Sequence, residues 1–231
     1  MAARWTRSIR QPQLALADLK GQAGLRIQTH LGLQEEHIEI QQGAKGNPLA
    51  KQTWLRQALI SSLNRTAAAK ALYGTLNPKI SALNSLVRLS NEAGYRQHFK
   101  KWNYNVNKVA ALMKAHNCTK GVGRHLLVQR HQGCRSCSSR RVGNKLRELA
   151  FTIFQDQAAR AGIQLKNGFV PAGTLFGSHL PEHNFDLAMF TYVLAVDPHY
   201  NVSIFSCGGP SNYGEYCNRN VTKLLTQSDQ S

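Results

Sequence analysis

Apolar residues fall on one helical face in four segments of the chain, which predict four amphipathic helices. The segments are residues 54–63, 67–73, 106–116 and 147–161. Asn64 and Asn105 stand before the second and third segments, where an asparagine side chain can cap free backbone N–H groups. Gly74 and Gly162 mark the ends of the second and fourth. Shorter helical patterns occur at residues 14–20 and 221–225.

Alternating and continuous apolar runs predict the strands of a small sheet. Residues 25–30 and 37–41 alternate apolar and polar side chains, which is typical of half-buried strands. Residues 185–192 are hydrophobic enough for a central strand. A further strand begins at residues 163–165, directly after the fourth helix, and this order is typical of an αβ unit. The patterns therefore predict an α/β fold.

Residues 119–143 match neither period and are rich in Arg, Ser, Gly and His. From Lys120 to Arg147 there are eight basic residues and no acidic one, nearly half of the net charge of +17. Such a balance favours polyanionic partners such as nucleic acid or an anionic membrane. Elsewhere the basic residues are scattered on predicted helix faces, so we expect no specific nucleic acid partner. A nucleic-acid- or zinc-binding module centred on residues 120–147 is the alternative function.

The same segment contains four side chains of the types that zinc prefers, His125, His131, Cys134 and Cys137. Their spacings of six, three and three residues are tighter than those of usual zinc fingers, and no second ligand pair follows. We therefore interpret residues 119–143 as an irregular basic insert or divergent loop, and expect no metal. No Ser/His/Asp order, paired carboxylates or phosphate-binding glycine motif occurs, so we expect neither catalysis nor a cofactor.

Near the C-terminus, Cys207 and Cys217 bracket a loop rich in Gly, Asn and Tyr. A short disulfide between them would fit an oxidising compartment. The backbone N–H groups of the loop, with Asn212 and the ring of Tyr213, could bind a ligand. The alternative is a plain turn whose glycines satisfy the backbone geometry and whose tyrosines pack.

No stretch approaches the roughly 18 consecutive apolar residues of a membrane-spanning helix. The first ten residues are positively charged, but no apolar region follows them, so they do not form a signal peptide as they stand.

Four stretches in order resemble one family. They are Trp54–Leu59 with Asn64-Arg65, Tyr104-Asn105 with Val109–Ala115, Leu149–Leu165 ending in Ala161-Gly162-Ile163, and Phe185–Phe190 with Cys207-Gly208-Gly209 and Asn212-Tyr213. Together they are similar to the family 5 solute-binding proteins of ABC transporters, the oligopeptide- and dipeptide-binding class. The resemblance covers roughly residues 10–228.

The resemblance implies a type II periplasmic-binding-protein-like fold, in which ligand binds between two α/β lobes joined by a hinge. Because family members are about twice as long, we expect an incomplete two-lobe architecture and a truncated protein. Residues 1–46 would be the end of the first lobe and the hinge strands, 47–205 the second lobe, and 206–231 a return segment toward the first lobe. The implied function is capture of a peptide or other small solute for an ABC permease outside the cytoplasm.

On this reading we expect ligand contacts from Tyr192, Asp197, Asn212 and Tyr213. Peptide-binding members often have an acidic residue shortly before the position of Asp197 that holds the α-ammonium group of the ligand. Leu194, Ala195 and Val196 occupy those positions here, which argues against classical binding of peptides with a free amine. With half of the cleft missing, we expect weak or no peptide affinity.

Overall fold

A computed structural model describes residues 18–19, 21–120, 126–127, 136–141, 144–193 and 199–229. For residues 119–120, 126–127 and 136–141 the description covers the backbone alone. The predicted helix at residues 14–20, the region of Asp197, and the side chains of the proposed zinc set therefore lie outside the described parts of the chain.

A four-stranded mixed sheet organises the described residues, with the strand order β1-β6-β4-β5. The outer strand β1 pairs antiparallel with β6 along its whole length, whereas β4 lies parallel to both β6 and β5. The strands are β1 (Gln34–Ile40), β4 (Ser136–Arg141), β5 (Leu165–Val170) and β6 (Leu187–Val193). Two short strands, β2 (Thr119–Lys120) and β3 (Leu126–Leu127), pair separately.

Helices follow the apolar stripes seen in the sequence. They are α1 (Thr53–Ser62), α2 (Arg65–Tyr73), α3 (Val106–Ala115), α4 (Lys145–Arg160), the three-residue α5 (Ala172–Thr174) continued by a π-helical turn (Leu175–His179), α6 (His199–Phe205) and α7 (Arg219–Asp229). Among these helices, none is both long and apolar enough to cross a bilayer.

Three asparagines set the beginnings of helices α2, α3 and α4. The side-chain oxygens of Asn64, Asn105 and Asn144 accept hydrogen bonds from the backbone N–H three residues later, at 3.0, 2.9 and 3.2 Å. Each bond satisfies a backbone donor that the first turn of a helix leaves without a partner. The capping predicted for Asn64 and Asn105 is confirmed.

Two apolar cores cover the two faces of the sheet. Helices α1, α3 and α4 bury one core, whose members include Leu59, Met113 and Leu187. The second core lies on the other face, around Leu175, Phe190 and Ile204. Because successive side chains of a strand point to opposite faces, neighbouring residues of β6 belong to different cores. This two-sided burial explains why residues 185–192 read as a continuous apolar run.

The structure differs from two of the strand predictions. Residues 25–30 alternate in sequence but form no strand, because alternation yields a strand only where a second strand offers hydrogen-bonding partners. Conversely, the segment 119–143 is not irregular throughout, since Ser136–Arg141 forms the strand β4 between β5 and β6. The interpretation of that whole segment as an irregular insert was therefore wrong for β4. Backbone pairing on both sides stabilises this strand despite its polar sequence.

Candidate functional site

Strand β1 places three titratable side chains on one face of the sheet. Glu35, His37 and Glu39 alternate along the strand, so they share a face, opposite Tyr192, Phe190 and Ala188 of β6 in the antiparallel register. Helix α6 adds Tyr200 and the loop after it adds Tyr213. We call this largely buried cluster the polar-aromatic face, comprising Glu35, His37, Glu39, Phe190, Tyr192, Tyr200 and Tyr213.

Aromatic rings pack closely around His37. Its imidazole lies flat against the ring of Tyr192, with centroids 4.4 Å apart and an interplanar angle of 6°, and meets Phe190 edge-on at 4.4 Å. Tyr200 approaches Tyr192 at 6.3 Å, and Tyr213 approaches Phe190 at 6.1 Å, both edge-on. The ring geometries are those that aromatic quadrupoles prefer. The rings form a low-dielectric frame around the polar groups of β1.

Glu35 is a buried acid with unused hydrogen-bonding capacity in this frame. It is only 6% exposed, and among the described residues its Oε1 atom has no hydrogen-bond partner. Burial raises the pKa of its carboxyl to about 7, with Glu39 adding to the rise and His37 opposing it. The group is therefore close to half protonated at neutral pH, a property often associated with functional sites.

His37 and Glu39 form a loose pair beside Glu35. The His37 Nε2 atom lies 3.6 Å from Glu39 Oε2, which is an ion-pair distance but too long for a hydrogen bond. In the described part of the chain, both ring nitrogens of His37 are buried without a hydrogen-bond partner. An acid, an imidazole and a second acid therefore face one side of the sheet with hydrogen-bonding capacity left over.

Tyr192, one of the predicted ligand residues, is buried within the polar-aromatic face. Its hydroxyl donates a hydrogen bond to the carbonyl of Ser211 at 2.8 Å. Burial, with the nearby charge of Glu39, raises the pKa of Tyr192, so the phenol stays neutral. The structure brings the rings of Tyr192 and Tyr213 to the same face, both in contact with Phe190.

The loop after α6 is held by a disulfide and one asparagine. Cys207 and Cys217 are bonded, with their Cα atoms 4.4 Å apart. The Asn212 amide nitrogen donates to the carbonyls of Ser206 and Tyr216 at 2.8 and 2.6 Å, and its oxygen accepts from the Tyr216 N–H at 3.0 Å. Asn212 therefore organises the loop from within, and both of its amide hydrogens are already engaged.

A buried glutamine joins this loop to the end of β1. The Gln41 amide nitrogen donates to the carbonyl of Tyr213 at 3.0 Å and to that of His183 at 3.4 Å. Its oxygen accepts from the backbone N–H of Gly43 at 2.5 Å. Glycine at position 214 lets the loop approach β1, since a Cβ there would stand 2.8 Å from the carbonyl oxygen of Ile40. Gln41 thus fixes Tyr213 relative to the strand.

On the opposite face of the sheet, the buried Arg147 forms an ion pair with Glu36, which is partly accessible to solvent. The Arg147 guanidinium donates through Nε and Nη2 to the Glu36 carboxylate, and Nη2 also reaches the Thr191 hydroxyl at 2.7 Å. The Nη1 atom of Arg147 has no partner among the described residues. This pair attaches helix α4 to strands β1 and β6, which indicates a structural role.

The sequence reasoning did not select Glu35, His37, Glu39 or Arg147. A signal for His37 and Glu39 was present, because they alternate with apolar side chains in residues 37–41, which were predicted to be a half-buried strand. Glu35 precedes that predicted strand and belongs to β1 in the structure. Their meeting with Tyr192 depends on the β1–β6 register, which residues 150 positions apart do not reveal. Among the described residues no cluster of three His, Cys, Asp or Glu side chains has the geometry of a metal site.

Comparisons with solved structures identify similar folds. The oligopeptide-binding protein AppA from Bacillus subtilis, in complex with a nonapeptide, superposes with a TM-score of 0.76 at 21% identity over 95% of this chain. The NikZ protein from Campylobacter jejuni, in complex with Ni(L-His), gives 0.69 at 16% over 94%. A periplasmic oligopeptide-binding protein from Thermotoga maritima, bound to mannohexaose, gives 0.71 at 16% over 85%.

These matches cover only part of the known structures. This chain spans 43%, 43% and 38% of their respective lengths. No protein-family model matches the sequence, and no curated protein matches it. At such low identities the likeness concerns the fold, and on that evidence the chain has an α/β fold of the periplasmic-binding-protein-like class, matching about two fifths of each of these binding proteins.

Proposed function

We propose that this chain is a solute-binding component of an ABC-type importer and that its polar-aromatic face is one wall of the ligand site. The resemblance to family 5 solute-binding proteins supports this proposal, as does a fold shared with proteins whose bound ligands are a nonapeptide, a nickel–histidine complex and a mannohexaose. In this view residues 1–46, 47–205 and 206–231 keep the lobe assignments predicted above, and the protein works outside the cytoplasm beside a membrane permease.

The observation that carries the proposal is the buried Oε1 atom of Glu35, which has no hydrogen-bond partner among the described residues. Buried polar groups without hydrogen bonds are rare, because a missing hydrogen bond in the interior costs free energy. Groups of this kind that persist in a structure often serve a function. Here Glu35 stands beside His37 and Glu39 within a frame of aromatic rings. Two carboxyl groups among rings suit a cation, because acid groups and the faces of aromatic rings both attract positive charge.

The ligand group that fits this wall is therefore an ammonium or guanidinium. Binding of such a group here does not need the acidic residue that is missing near position 197. Leu194, Ala195 and Val196 provide no carboxylate for a ligand amine, whereas Glu35 and Glu39 provide two from the neighbouring strand. The ligand class we propose is a small solute or short peptide with at least one positive charge.

An NMR titration tests the proposal because it detects weak binding. Trilysine is the probe, and N-acetyl-trialanine amide is the neutral comparison, each added to the labelled 231-residue chain. We expect trilysine to shift amide resonances of β1, β6 and the loop around Tyr213, with a dissociation constant on the order of 1 mM. The variant E35Q/E39Q removes these shifts, and the control D156N/E182Q, which neutralises two acids elsewhere, retains them.

Two results would count against this function. One is the absence of any shift in β1 or β6 at 10-fold the expected dissociation constant, roughly 10 mM of either peptide. The other is an equal response of E35Q/E39Q and D156N/E182Q, which would reduce the effect to general charge attraction. Micromolar affinity would support the site but would contradict the expectation of weak binding.

The alternative function, a nucleic-acid- or zinc-binding module at residues 120–147, rests on side chains outside the described residues. What the structure describes there is backbone, and strand β4 lies within the sheet. No contact among the described residues favours this alternative over solute binding.

A further inference from the structure

A second surface gathers lysines around a single indole ring. The Nζ atom of Lys108 lies 3.9 Å from the centroid of the Trp102 ring, and that of Lys101 lies 5.4 Å from it. Tyr104 and Val106 lie between Trp102 and Lys108 in the chain and are 48% and 54% exposed. We call this surface the Trp102 patch, comprising Lys100, Lys101, Trp102, Tyr104, Val106 and Lys108.

The patch is held in a defined position at the start of helix α3. Lys100–Trp102 forms a 3₁₀ turn, and Asn105 then caps α3. The backbone N–H of Asn105 donates to the Ser61 carbonyl at 2.8 Å, and the neighbouring Asn103 side chain accepts from the Arg65 guanidinium at 3.0 Å. These bonds hold residues 100–105 against Ser61 of α1 and Arg65 of α2. The backbone that carries the lysines and rings of the patch therefore has a defined position.

The patch is separate from the candidate solute site. Helix α3 packs through Val109 and Met113 into the core that also contains Leu187. Glu35 and His37 point to the opposite face of the sheet, since they alternate in β1 with Ile38 and Ile40, which pack against that core. Binding at one surface therefore does not require the other, and the inference below does not rest on the proposed solute-binding function.

The stretch of sequence that contains the patch carries positive charges and no negative ones. From Ala93 to Arg147 the sequence has 13 Lys and Arg residues and no Asp or Glu. In the described part of the chain, no ion pair involves Lys100, Lys101 or Lys108. Positive charge at this surface is thus not neutralised by carboxylates of the same segment, and it attracts anions.

We propose that the Trp102 patch binds the anionic headgroups of a membrane surface. Lysines next to such a surface are attracted to lipid phosphates, and tryptophan and tyrosine rings are favoured at the level of the headgroups. The exposed aliphatic side chain of Val106 can be buried at the boundary between the headgroups and the acyl chains. The lysines thus match the lipid phosphates, the tryptophan and tyrosine rings match the headgroup level, and Val106 matches the apolar boundary beneath it.

Nucleic acid is a poorer fit to the same side chains. Single-stranded nucleic acid is bound largely by stacking of bases on free aromatic faces. The Lys108 ammonium already lies over the Trp102 ring at 3.9 Å, which leaves less of that ring for a base. Val106, one of the most exposed apolar residues described, has no aromatic face to offer. The combination therefore favours lipid.

Vesicle co-sedimentation tests this inference with the whole chain. The probes are vesicles of phosphatidylcholine alone and vesicles containing 30 mol% phosphatidylglycerol, at low and high salt. The variant K100Q/K101Q/K108Q removes the three lysines of the patch. The matched control K70Q/K79Q/K223Q removes three exposed lysines elsewhere and gives the same net charge. A second variant, Y104S/V106S, removes the apolar part and keeps every charge.

We expect the wild-type chain to bind the anionic vesicles and not those of phosphatidylcholine alone. A lysine near an anionic surface strengthens binding by roughly fivefold, so K100Q/K101Q/K108Q lowers the partition coefficient on the order of 100-fold. The control should stay within about fivefold of wild type, because long-range attraction to its distant lysines is screened. Y104S/V106S should lose the binding that survives at high salt.

Three outcomes overturn the inference. The wild-type chain does not bind anionic vesicles, or K100Q/K101Q/K108Q binds no worse than the control, or the chain binds a single-stranded oligonucleotide through the patch lysines without binding vesicles. Failure of trilysine binding at Glu35 and Glu39 would leave this inference unaffected, so the two proposals fail separately.

Discussion

The Arg147 guanidinium donates to both carboxylate oxygens of Glu36, joining helix α4 to the edge strand β1 across 111 residues of sequence. The side chain of Arg147 is nearly inaccessible, so its charge depends on this partner. Removing the partner of a buried charge leaves that charge without compensation, which is more harmful than removing both members of the pair.

We therefore expect E36L to lower the free energy of unfolding by about 3 kcal/mol, because the buried Arg147 guanidinium then loses its countercharge. The double variant E36L/R147M should recover part of that loss. Urea denaturation followed by circular dichroism measures both. A loss below about 1 kcal/mol for E36L would mean that the Arg147 guanidinium reaches solvent easily and that the pair contributes little.

Glu35 predicts a pH dependence of stability. Its pKa in the folded chain is about 7, above the ordinary value of 4.5, so proton binding favours the folded state. That contribution is fully present below pH 4.5 and is lost as the pH rises through 7. Residue 35 does not titrate in the E35Q variant. The free energy of unfolding of E35Q minus that of wild type should therefore increase by on the order of 3 kcal/mol between pH 4.5 and 8.5.

Urea midpoints at several pH values measure this difference, and E182Q, which changes an exposed acid, is the control. E182Q should follow the wild-type curve at every pH. A difference between E35Q and wild type that stays constant with pH would show that Glu35 ionises normally and would contradict its burial.

The disulfide between Cys207 and Cys217 closes a short loop, with a sequence separation of 10. By loop-closure entropy, its removal in C207A/C217A should lower the free energy of unfolding by about 3 kcal/mol. Thermal denaturation with and without reductant measures the change. The double variant itself should show no response to reductant, and an unchanged wild-type melting temperature in reductant would contradict the expectation.

Helix α3 offers a matched pair of asparagines for testing its cap. N105A removes the side chain that accepts from the Lys108 backbone N–H, so we expect a loss of about 1 kcal/mol. N107A, an exposed position inside the same helix, should be neutral or slightly stabilising because alanine favours helix. Equal losses for the two variants in urea denaturation would rule out a specific capping contribution.

The parts of the fold predicted from sequence are those coded by neighbouring residues. The stripe from Trp54 to Leu63 and the caps at Asn64 and Asn105 act within one or two helical turns, and the structure has them where the pattern indicates. Strand β6 was also predicted, because burial on both faces leaves a continuous apolar run.

What the sequence could not reveal depends on distant pairing. Strand β4 has the polar sequence Ser-Cys-Ser-Ser-Arg-Arg and becomes a strand because β5 and β6 flank it. The polar-aromatic face likewise exists only because Glu35 and Tyr192 occupy the same register position. Asn212 is a polar residue of the loop between Cys207 and Cys217, which suggests a ligand contact. Its hydrogen bonds inside the loop depend on the backbone around Ser206 and Tyr216, which the sequence pattern does not reveal.

Gln41 couples any displacement of the Tyr213 loop to a displacement of strand β1. Its amide holds the carbonyl of Tyr213 on one side and that of His183 on another, while its own backbone N–H continues the bonding of β1 to the carbonyl of Asp186. A displacement of Tyr213 by a ligand would therefore pull on β1 and on the start of β6 together. Force applied at the loop reaches the sheet through this side chain, together with the Gln42 N–H bond to the Gly214 carbonyl and the Tyr192 hydroxyl bond to the Ser211 carbonyl.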